Sequence, residues 1–307
     1  MDKPFRTIEE QVGILNSRGV ATDGDTTEIL SREGYYSVVN GYRDLYLDRE
    51  ATAKAGEDVF DEGTTFKDIY RLFLFDRALR QTLFKYFAIA EATLKTMCAY
   101  SFMEAHQDEK EPYLDKSNYD DAQPKFVGWL IEDFESALGR NPKKRPKPKA
   151  YMEHYRQNHD EVPLWVLLRY MTLGQTFKFY CYQNESMRNR IAKGFAELHE
   201  QSYGRKITVS PKRLKKAYDH IKDFRNICAH EERLYCARIS PARDVTVADV
   251  LPDLRLVLSK RDADRLTSDV AALLVDAGND MEVGYFRKMM ESMGFGNIQE
   301  IMGQRES

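Results

Sequence analysis

The chain has 307 residues, which fits one or two domains and lets about three quarters of the unfolded surface become buried without a stabilising disulfide or metal. The formal net charge is only −3, which excludes binding of polyanions through a uniformly basic surface and leaves that task to local patches. The sequence has no apolar run near the ~20 residues that span a bilayer, no signal-peptide pattern and no paired cysteine spacing, so we expect a soluble, cytoplasmic protein with no membrane partner.

The hydrophobic pattern is helical nearly throughout and predicts an all-α fold. An amphipathic segment covers 7–19, and a second begins at N-cap residue types near 25 and extends towards 43. The polar and acidic stretch 45–65 predicts a connecting loop. The strongest helical pattern follows, from 66 to about 105.

The second half of the chain continues this pattern. Ser210 followed by Pro211 is typical of a helix start, with the serine at the N-cap and the proline at the first helical position. The inner face of that helix carries apolar residues from Leu214 to Cys228. The other predicted elements are helices at 126–138, 164–182, 185–200, 262–277 and 282–292, and a short extended piece at 254–258.

The segment 225–230, RNICAH, places a permanent cation and a titratable base five residues apart on this helix. Arg225 can bind a phosphate with two parallel hydrogen bonds, and His230 can take and return a proton near neutral pH. RNA supplies its own nucleophile, the 2′-hydroxyl beside the scissile phosphate. Together these groups are sufficient to break RNA without a metal or cofactor. The chain has 25 arginines and 6 histidines, however, so an arginine and a histidine five residues apart can occur by chance, and the spacing alone is weak evidence.

On a straight helix, Arg225 and His230 point about 140° apart with about 7.5 Å of rise between them, whereas Asn226 and His230 share a face. A distortion of the helix end or a second copy of the chain would bring the first two together. Residues 231–233 are helix formers, so we do not expect the helix to end early. The sequence therefore predicts a composite site between two helices or two subunits.

Two structural alternatives stay open. His230 can be a histidine stabilised by the dipole at a helix C-terminus, with Arg225 as a surface ion-pair partner. A zinc site of Cys228, His230 and Cys236 matches no standard ligand spacing, so no metal is predicted. No P-loop, dinucleotide fingerprint or nucleophile elbow is present.

Three charged residues, Asp76, Arg80 and Glu91, lie within the apolar stripe of the 66–105 helix. An unpaired charge in a core costs several kcal/mol, so these groups must be paired or functional. One interpretation is an internal Asp76–Arg80 pair one turn apart. The other is that the three side chains reach the same site as Arg225 and His230.

Two basic segments are candidates for contact with an RNA backbone. The first is the proline-broken run 141–149, and the second leads into the helix that carries Arg225. A solvated loop or helix face is the alternative for each. The candidate cations are Lys143, Lys144, Arg145, Lys147, Lys149, Arg205, Lys206, Lys212, Arg213, Lys215 and Lys216.

An ordered series of short motifs covers residues 3 to 240. They are KP, IEEQ and SRG within 3–19, GYY and NGYR within 34–43, FDRALR at 75–80 with Glu91, PLW and LG within 163–174, and RNICAH followed by RLY within 225–235. This series resembles the Abi-like abortive-infection proteins of bacteria, of the AbiD/AbiF type, within the HEPN superfamily.

The resemblance implies a HEPN-like helical bundle over 65–240, with a helical N-terminal segment at 1–50 and a helical C-terminal extension at 241–307. It implies that Arg225 and His230 are catalytic in a metal-independent ribonuclease centre, with Asn226 as their neighbour and Asp76, Arg80 and Glu91 in support. It also implies a toxin-like role in phage defence, in some members under the control of a structured noncoding RNA.

One motif per chain predicts a homodimer, or two copies on one RNA. The acidic pair Glu231–Glu232 is unexpected beside a phosphate. The sequence therefore leaves two further hypotheses open: a non-catalytic RNA-binding regulator on the same fold, and a helical scaffold that binds protein alone.

Overall fold

A computed structural model describes residues 4–141, 150–240, 242 and 244–296. Within these ranges the fold is all-α as predicted, with no β-strand and only isolated β-bridges. The α-helices are α1 (Ile8–Ser17), α2 (Gly24–Glu33), α3 (Arg49–Ala55), α4 (Phe66–Ala105), α5 (Pro124–Ala137), α6 (Ala150–Asn158), α7 (Leu164–Tyr170), α8 (Leu173–Cys181), α9 (Glu185–Tyr203), α10 (Pro211–Ala229), α11 (Val247–Val257), α12 (Lys260–Asp280) and α13 (Val283–Met293).

The chain divides into two compact units, each built from segments that are not consecutive. Unit 1 combines the N-terminal part up to Leu83, the stretch 227–248 and the part from Arg265 onwards. Unit 2 combines Phe84–Asn226 with Asp249–Asp264. The division falls inside α4 and inside α10. The predicted segments 1–50, 65–240 and 241–307 stay a prediction.

The first helices of unit 1 begin and end where local capping dictates. Thr7 caps α1 in a capping box with Glu10. Helix α2 ends before Gly34, whose φ of 80° few other residues tolerate, and the further helix expected towards 43 is present as short helical turns. A π-helical turn at Tyr36–Asn40 and a 3₁₀ turn at Arg43–Leu45 follow.

The predicted loop 45–65 is wrong in part, because it contains α3. The side chain of Asp48 accepts a hydrogen bond from the backbone N–H of Ala51 at the start of this helix, and Gly56 ends it in the left-handed conformation. Its apolar content is too low to give a helical period, so only these caps mark it in the sequence.

The longest predicted helix is confirmed as α4, Phe66–Ala105. The prediction of one helix over 164–182 is wrong, because Met171 is extended and the chain restarts as α8. Thr172 caps α8 in a capping box with Gln175. Helix α6 was not predicted.

The start of α10 is confirmed, since the Ser210 hydroxyl accepts a hydrogen bond from the N–H of Arg213 at 3.2 Å. Within unit 2, the Tyr218 hydroxyl donates to the carbonyl of Ala90 on α4 at 2.9 Å, and Leu214, Ile221 and other inner-face residues are fully buried. These contacts fix the rotation of α10 against α4.

The predicted extended piece at 254–258 is wrong, because these residues belong to α11 and the residue after it. Pro252 lies inside this helix and removes one backbone hydrogen bond. Val250, Leu251 and Leu254 are nevertheless buried together on one helical face. The burial of this face outweighs the proline, which the local pattern does not reveal.

Candidate functional site

Helix α10 ends at the motif histidine. The last helical residue is Ala229, His230 is the C-cap, and Glu231 adopts the left-handed conformation with φ 56°. The N–H of Glu232 then donates to the carbonyl of Ile227 at 3.1 Å, the six-to-one bond of a Schellman motif. The expectation that 231–233 would continue the helix is therefore wrong.

A buried carboxylate in unit 1 explains why the helix ends there. Asp76 is fully buried and accepts hydrogen bonds from the hydroxyl of Tyr42 at 2.7 Å and from the backbone N–H of Tyr235 at 2.7 Å. It also accepts from the N–H of Leu234 and from the guanidinium of Arg80. Because two of its donors are backbone groups just after the cap, Asp76 fixes the direction in which the chain leaves α10.

Arg80 adds a second connection to the same turn. Its guanidinium donates to the Tyr42 hydroxyl at 3.0 Å and to the carbonyl of Glu232 at 3.4 Å, in addition to its ion pair with Asp76. The predicted Asp76–Arg80 pair is thus confirmed. Burial raises the pKa of Asp76, and its hydrogen-bond donors oppose that rise. We call Asp76, Arg80 and Tyr42 the clamp.

Arg225 belongs to unit 2, where one nitrogen of its guanidinium contacts the carboxylate of Glu91. Its Nη2 lies 3.5 Å from an oxygen of Glu91, whose other oxygen is 2.8 Å from Lys95. Its Cζ lies 5.7 Å from the ring centre of Phe84. The Arg225 side chain remains 28% exposed, so part of it is accessible to a ligand.

Asn226 and His230 are both exposed. Within the ranges that the structure describes, neither side chain forms a hydrogen bond or an ion pair. An exposed imidazole at a fixed C-cap can exchange a proton with a bound substrate. His230 therefore differs from His220, which is buried and has Asp253 as its structural partner.

A cleft of about 870 Å³ in unit 1 is lined by the two residues that follow His230, Glu231 and Glu232. Its arginines come from distant parts of the chain: Arg32, Arg77, Arg80, Arg233 and Arg238. Only Arg80 was a predicted site residue; Arg77 and Arg233 lie within the motifs, and the spacing of the five arginines shows no pattern that predicts a cleft. Tyr36, at the same cleft, is 78% exposed.

Several of these arginines already have partners. Arg77 forms two hydrogen bonds with Glu33, at 2.9 and 2.6 Å, and this contact lowers the pKa of that carboxyl. Arg233 pairs with Asp44 at 3.2 Å. Arg238 donates to the carbonyl of Ser292, and no carboxylate among the described residues forms an ion pair with it.

The comparisons with known proteins are decisive for the family. A family model described as Abi-like protein matches residues 28–236, more than half of the chain. The chain belongs to the Abi-like protein family. This membership supports an abortive-infection type of function. No curated protein and no solved structure matches the chain.

For the described residues of this Abi-like chain, the structure bears on two properties, membrane-spanning helices and metal-binding groups. No helix among these residues is long and apolar enough to cross a membrane. They also contain no group of three or more His, Cys, Asp or Glu side chains arranged to hold a metal ion.

The basic residues predicted to contact RNA are placed unevenly in this Abi-like protein. Lys143, Lys144, Arg145, Lys147 and Lys149 lie outside the described residues. Of the second segment, three are engaged with carboxylates: Arg213 with Asp253 at 2.5 Å, Lys215 with Asp219 at 2.6 Å and Lys206 with Glu200 at 3.8 Å. Arg205, Lys212 and Lys216 are exposed.

Glu231→Gly is expected to raise the free energy of unfolding by about 1 kcal/mol, because glycine adopts the left-handed conformation without the cost that a side chain imposes. Urea unfolding measures the change. Glu231→Gln is the matched control, since it removes the charge and keeps the strained backbone. A glycine variant no more stable than the glutamine variant would contradict the assignment of this turn.

Proposed function

We propose that this Abi-like protein cleaves RNA through Arg225 and His230, without a metal, as a toxin-like agent of phage defence. The observation that carries the proposal is the exposed imidazole of His230, held at a helix end that the buried clamp determines. The clamp fixes the backbone position from which the imidazole projects, and His230 itself has no structural partner in the described chain. The HEPN relationship is part of this proposal.

The chemistry needs only groups of the chain and the substrate. His230 accepts the proton of the 2′-hydroxyl, and the 2′-oxygen attacks the adjacent phosphorus. The bond from phosphorus to the 5′-oxygen breaks, and the protonated imidazole returns a proton to that oxygen. Arg225 stabilises the additional negative charge on the phosphorane. The products are a 2′,3′-cyclic phosphate and a 5′-hydroxyl.

Incubation of labelled RNA with the purified protein in excess EDTA tests this mechanism. We expect cleavage with those two product ends, since no step requires a divalent cation. Tight binding of RNA without cleavage would support the regulator instead. Little RNA binding of any kind would favour the protein-binding scaffold.

The site is proposed to be composite, with the Arg225 of one copy acting beside the His230 of another in a homodimer or in two copies on one RNA. On an ideal helix the two side chains diverge by about 140°, so one straight helix does not direct both to one phosphate. The partial exposure of Arg225 beside Glu91 supports an approach from outside.

A mixture of the inactive variants Arg225→Ala and His230→Ala is expected to regain about a quarter of the wild-type cleavage rate, because half of the random dimers contain one intact composite site of two. The rate is measured after the mixed subunits have been allowed to exchange. Each variant alone is the control. A mixture that stays as inactive as its components would locate both groups within one chain.

The alternative function is an RNA-binding regulator without catalysis, and one observation favours it. Glu231 and Glu232 are exposed carboxylates immediately after His230, and they disfavour the additional negative charge that a phosphorane develops during cleavage. Arg225 is also engaged with Glu91. In this alternative the same residues bind a cognate structured noncoding RNA. If the protein instead cleaves RNA, that noncoding RNA would act as its antitoxin.

A further inference from the structure

Unit 2 contains a cleft of about 770 Å³, whose lining along α10 runs from Pro211 to Lys222, one turn before Arg225. It lies among the C-terminal half of α8, the start of α9 and the first turns of α10. Five cations line it and only one carboxylate, Glu185. The cations are Lys178, Arg188, Lys212, Lys215 and Lys222.

Part of this positive charge is not neutralised by the protein. Lys215 pairs with Asp219 at 2.6 Å, Lys222 with Asp223 at 3.2 Å, and Arg188 lies 3.7 Å from Asp120. Lys178 and Lys212 are exposed, and no carboxylate in the described parts of the chain pairs with either. The cleft therefore favours an anionic ligand.

Exposed aromatic side chains continue from the wall of this cleft. Tyr182 lines it, and Phe126 of α5 stacks on Tyr182 with ring centres 6.0 Å apart and an interplanar angle of 25°. Trp129 lies against Phe126 at 5.4 Å, and Lys125 sits 5.0 Å above the indole. Phe126 is 45% and Trp129 52% exposed, which is costly for rings of this size without a ligand.

The aromatic series is also held in position. The N–H of Asp120 donates to the carbonyl of Tyr182 at 2.9 Å, which joins the segment before α5 to the end of α8. Phe126 and Trp129 are one turn apart on α5, so they share a helical face. These contacts fix the backbone that carries the three rings, which we call the aromatic platform, and the Trp129 ring stands edge to face against Phe126 at 82°.

We infer that this cleft and its aromatic platform bind single-stranded RNA, with phosphates at Lys178 and Lys212 and unpaired bases stacked on Phe126 and Trp129. Proteins that bind single strands combine a positively charged groove with rings on which successive bases stack. A duplex does not fit this chemistry, because its base faces are already stacked inside the helix. The inference rests on the proposed RNA partner and names its form and its place of contact.

Trp129 provides a direct probe of the platform. The chain has two tryptophans, so Trp165→Phe leaves Trp129 as the sole indole. In a full-length chain that also carries His230→Ala to prevent cleavage, we expect saturable quenching of the indole emission by an oligouridine of about 12 nucleotides. A hairpin of the same total length is expected to quench less and to bind at least about tenfold more weakly.

Two sets of variants locate the contacts by fluorescence anisotropy with the same labelled oligouridine. Phe126→Ala with Trp129→Ala should raise Kd by about tenfold or more, since stacking contributes substantially for each base. Lys178→Ala with Lys212→Ala should lower the slope of log K against log salt by about 1.4. Phe5→Ala, which removes an exposed ring ahead of α1, is the control and should leave Kd unchanged.

The inference is overturned if the hairpin binds as tightly as the oligouridine, if Trp129 emission does not respond, or if the aromatic variants bind like the control. A concentration-dependent change of Trp129 emission without RNA would overturn it as well, because it would assign the platform to contact between copies. Binding in the His230→Ala background is independent of cleavage. A protein that binds at this cleft but never cuts would remove only the proposed catalysis.

Discussion

His230→Ala is expected to lower the rate of RNA cleavage by about 10²- to 10⁴-fold, the range that a positioned acid–base group contributes. The imidazole is exposed and has no hydrogen-bond partner in the described chain, so its loss removes proton transfer and leaves the packing intact. The fold and the affinity for RNA should therefore change little. Cleavage of labelled RNA in EDTA, circular dichroism and binding by anisotropy measure the three quantities.

His159→Ala is the matched control, because His159 is also exposed but lies just after α6, remote in sequence from the motif. It should cleave at the wild-type rate. If the His230 variant cleaved as fast as this control, the imidazole would have no part in the chemistry. Cleavage that requires a divalent cation in both proteins would likewise exclude the metal-independent route.

Asp76→Ala is expected to reduce the free energy of unfolding by about 3–5 kcal/mol, the usual cost of removing one partner of a buried ion pair. The substitution leaves the guanidinium of Arg80, which is only 7% exposed, without its carboxylate. It also leaves the backbone N–H groups of Leu234 and Tyr235 without their acceptor. Urea unfolding measures the loss.

Asp121→Ala is the control for this prediction, since Asp121 is exposed and its removal should change stability by less than about 0.5 kcal/mol. Asp76→Asn should lie between the two, because the amide keeps one acceptor oxygen but not the charge. The clamp hypothesis fails if Asp76→Ala is as stable as the control. A folded Asp76→Asn protein should also cleave RNA more slowly, since the C-cap that carries His230 is less well fixed.

Much of the helical framework follows from local signals. The apolar period and the absence of breakers are sufficient to predict α4, and the Ser210–Pro211 pair predicts the start of α10. The candidate residues Arg225 and His230 are indicated by the ordered series of motifs, because their spacing alone is weak evidence. In each case, the residues that produce the structural feature lie within a few positions of it in the sequence.

Errors occurred where a distant contact outweighs the local pattern. The sequence Glu231–Glu232 favours a continued helix, yet the chain turns there because Asp76 and Arg80, about 150 residues earlier, bind the following backbone. Helix α11 forms despite Pro252 because its apolar face is buried. Burial and long-range hydrogen bonds depend on which segments meet, and periodicity within one segment does not encode that.

For the candidate sites too, some features follow from the sequence and others depend on the tertiary structure. The amino-acid sequence by itself determined the all-α class, the Abi-like motifs and the candidate pair Arg225 and His230. Only the tertiary structure decided that His230 is a free C-cap, that Asp76 and Arg80 support it, and that Phe126, Trp129 and Tyr182 meet beside a basic cleft. The physical reason is that a site is a set of side chains brought together by packing, and helices distant in sequence contribute to it through contacts that act over a few ångströms.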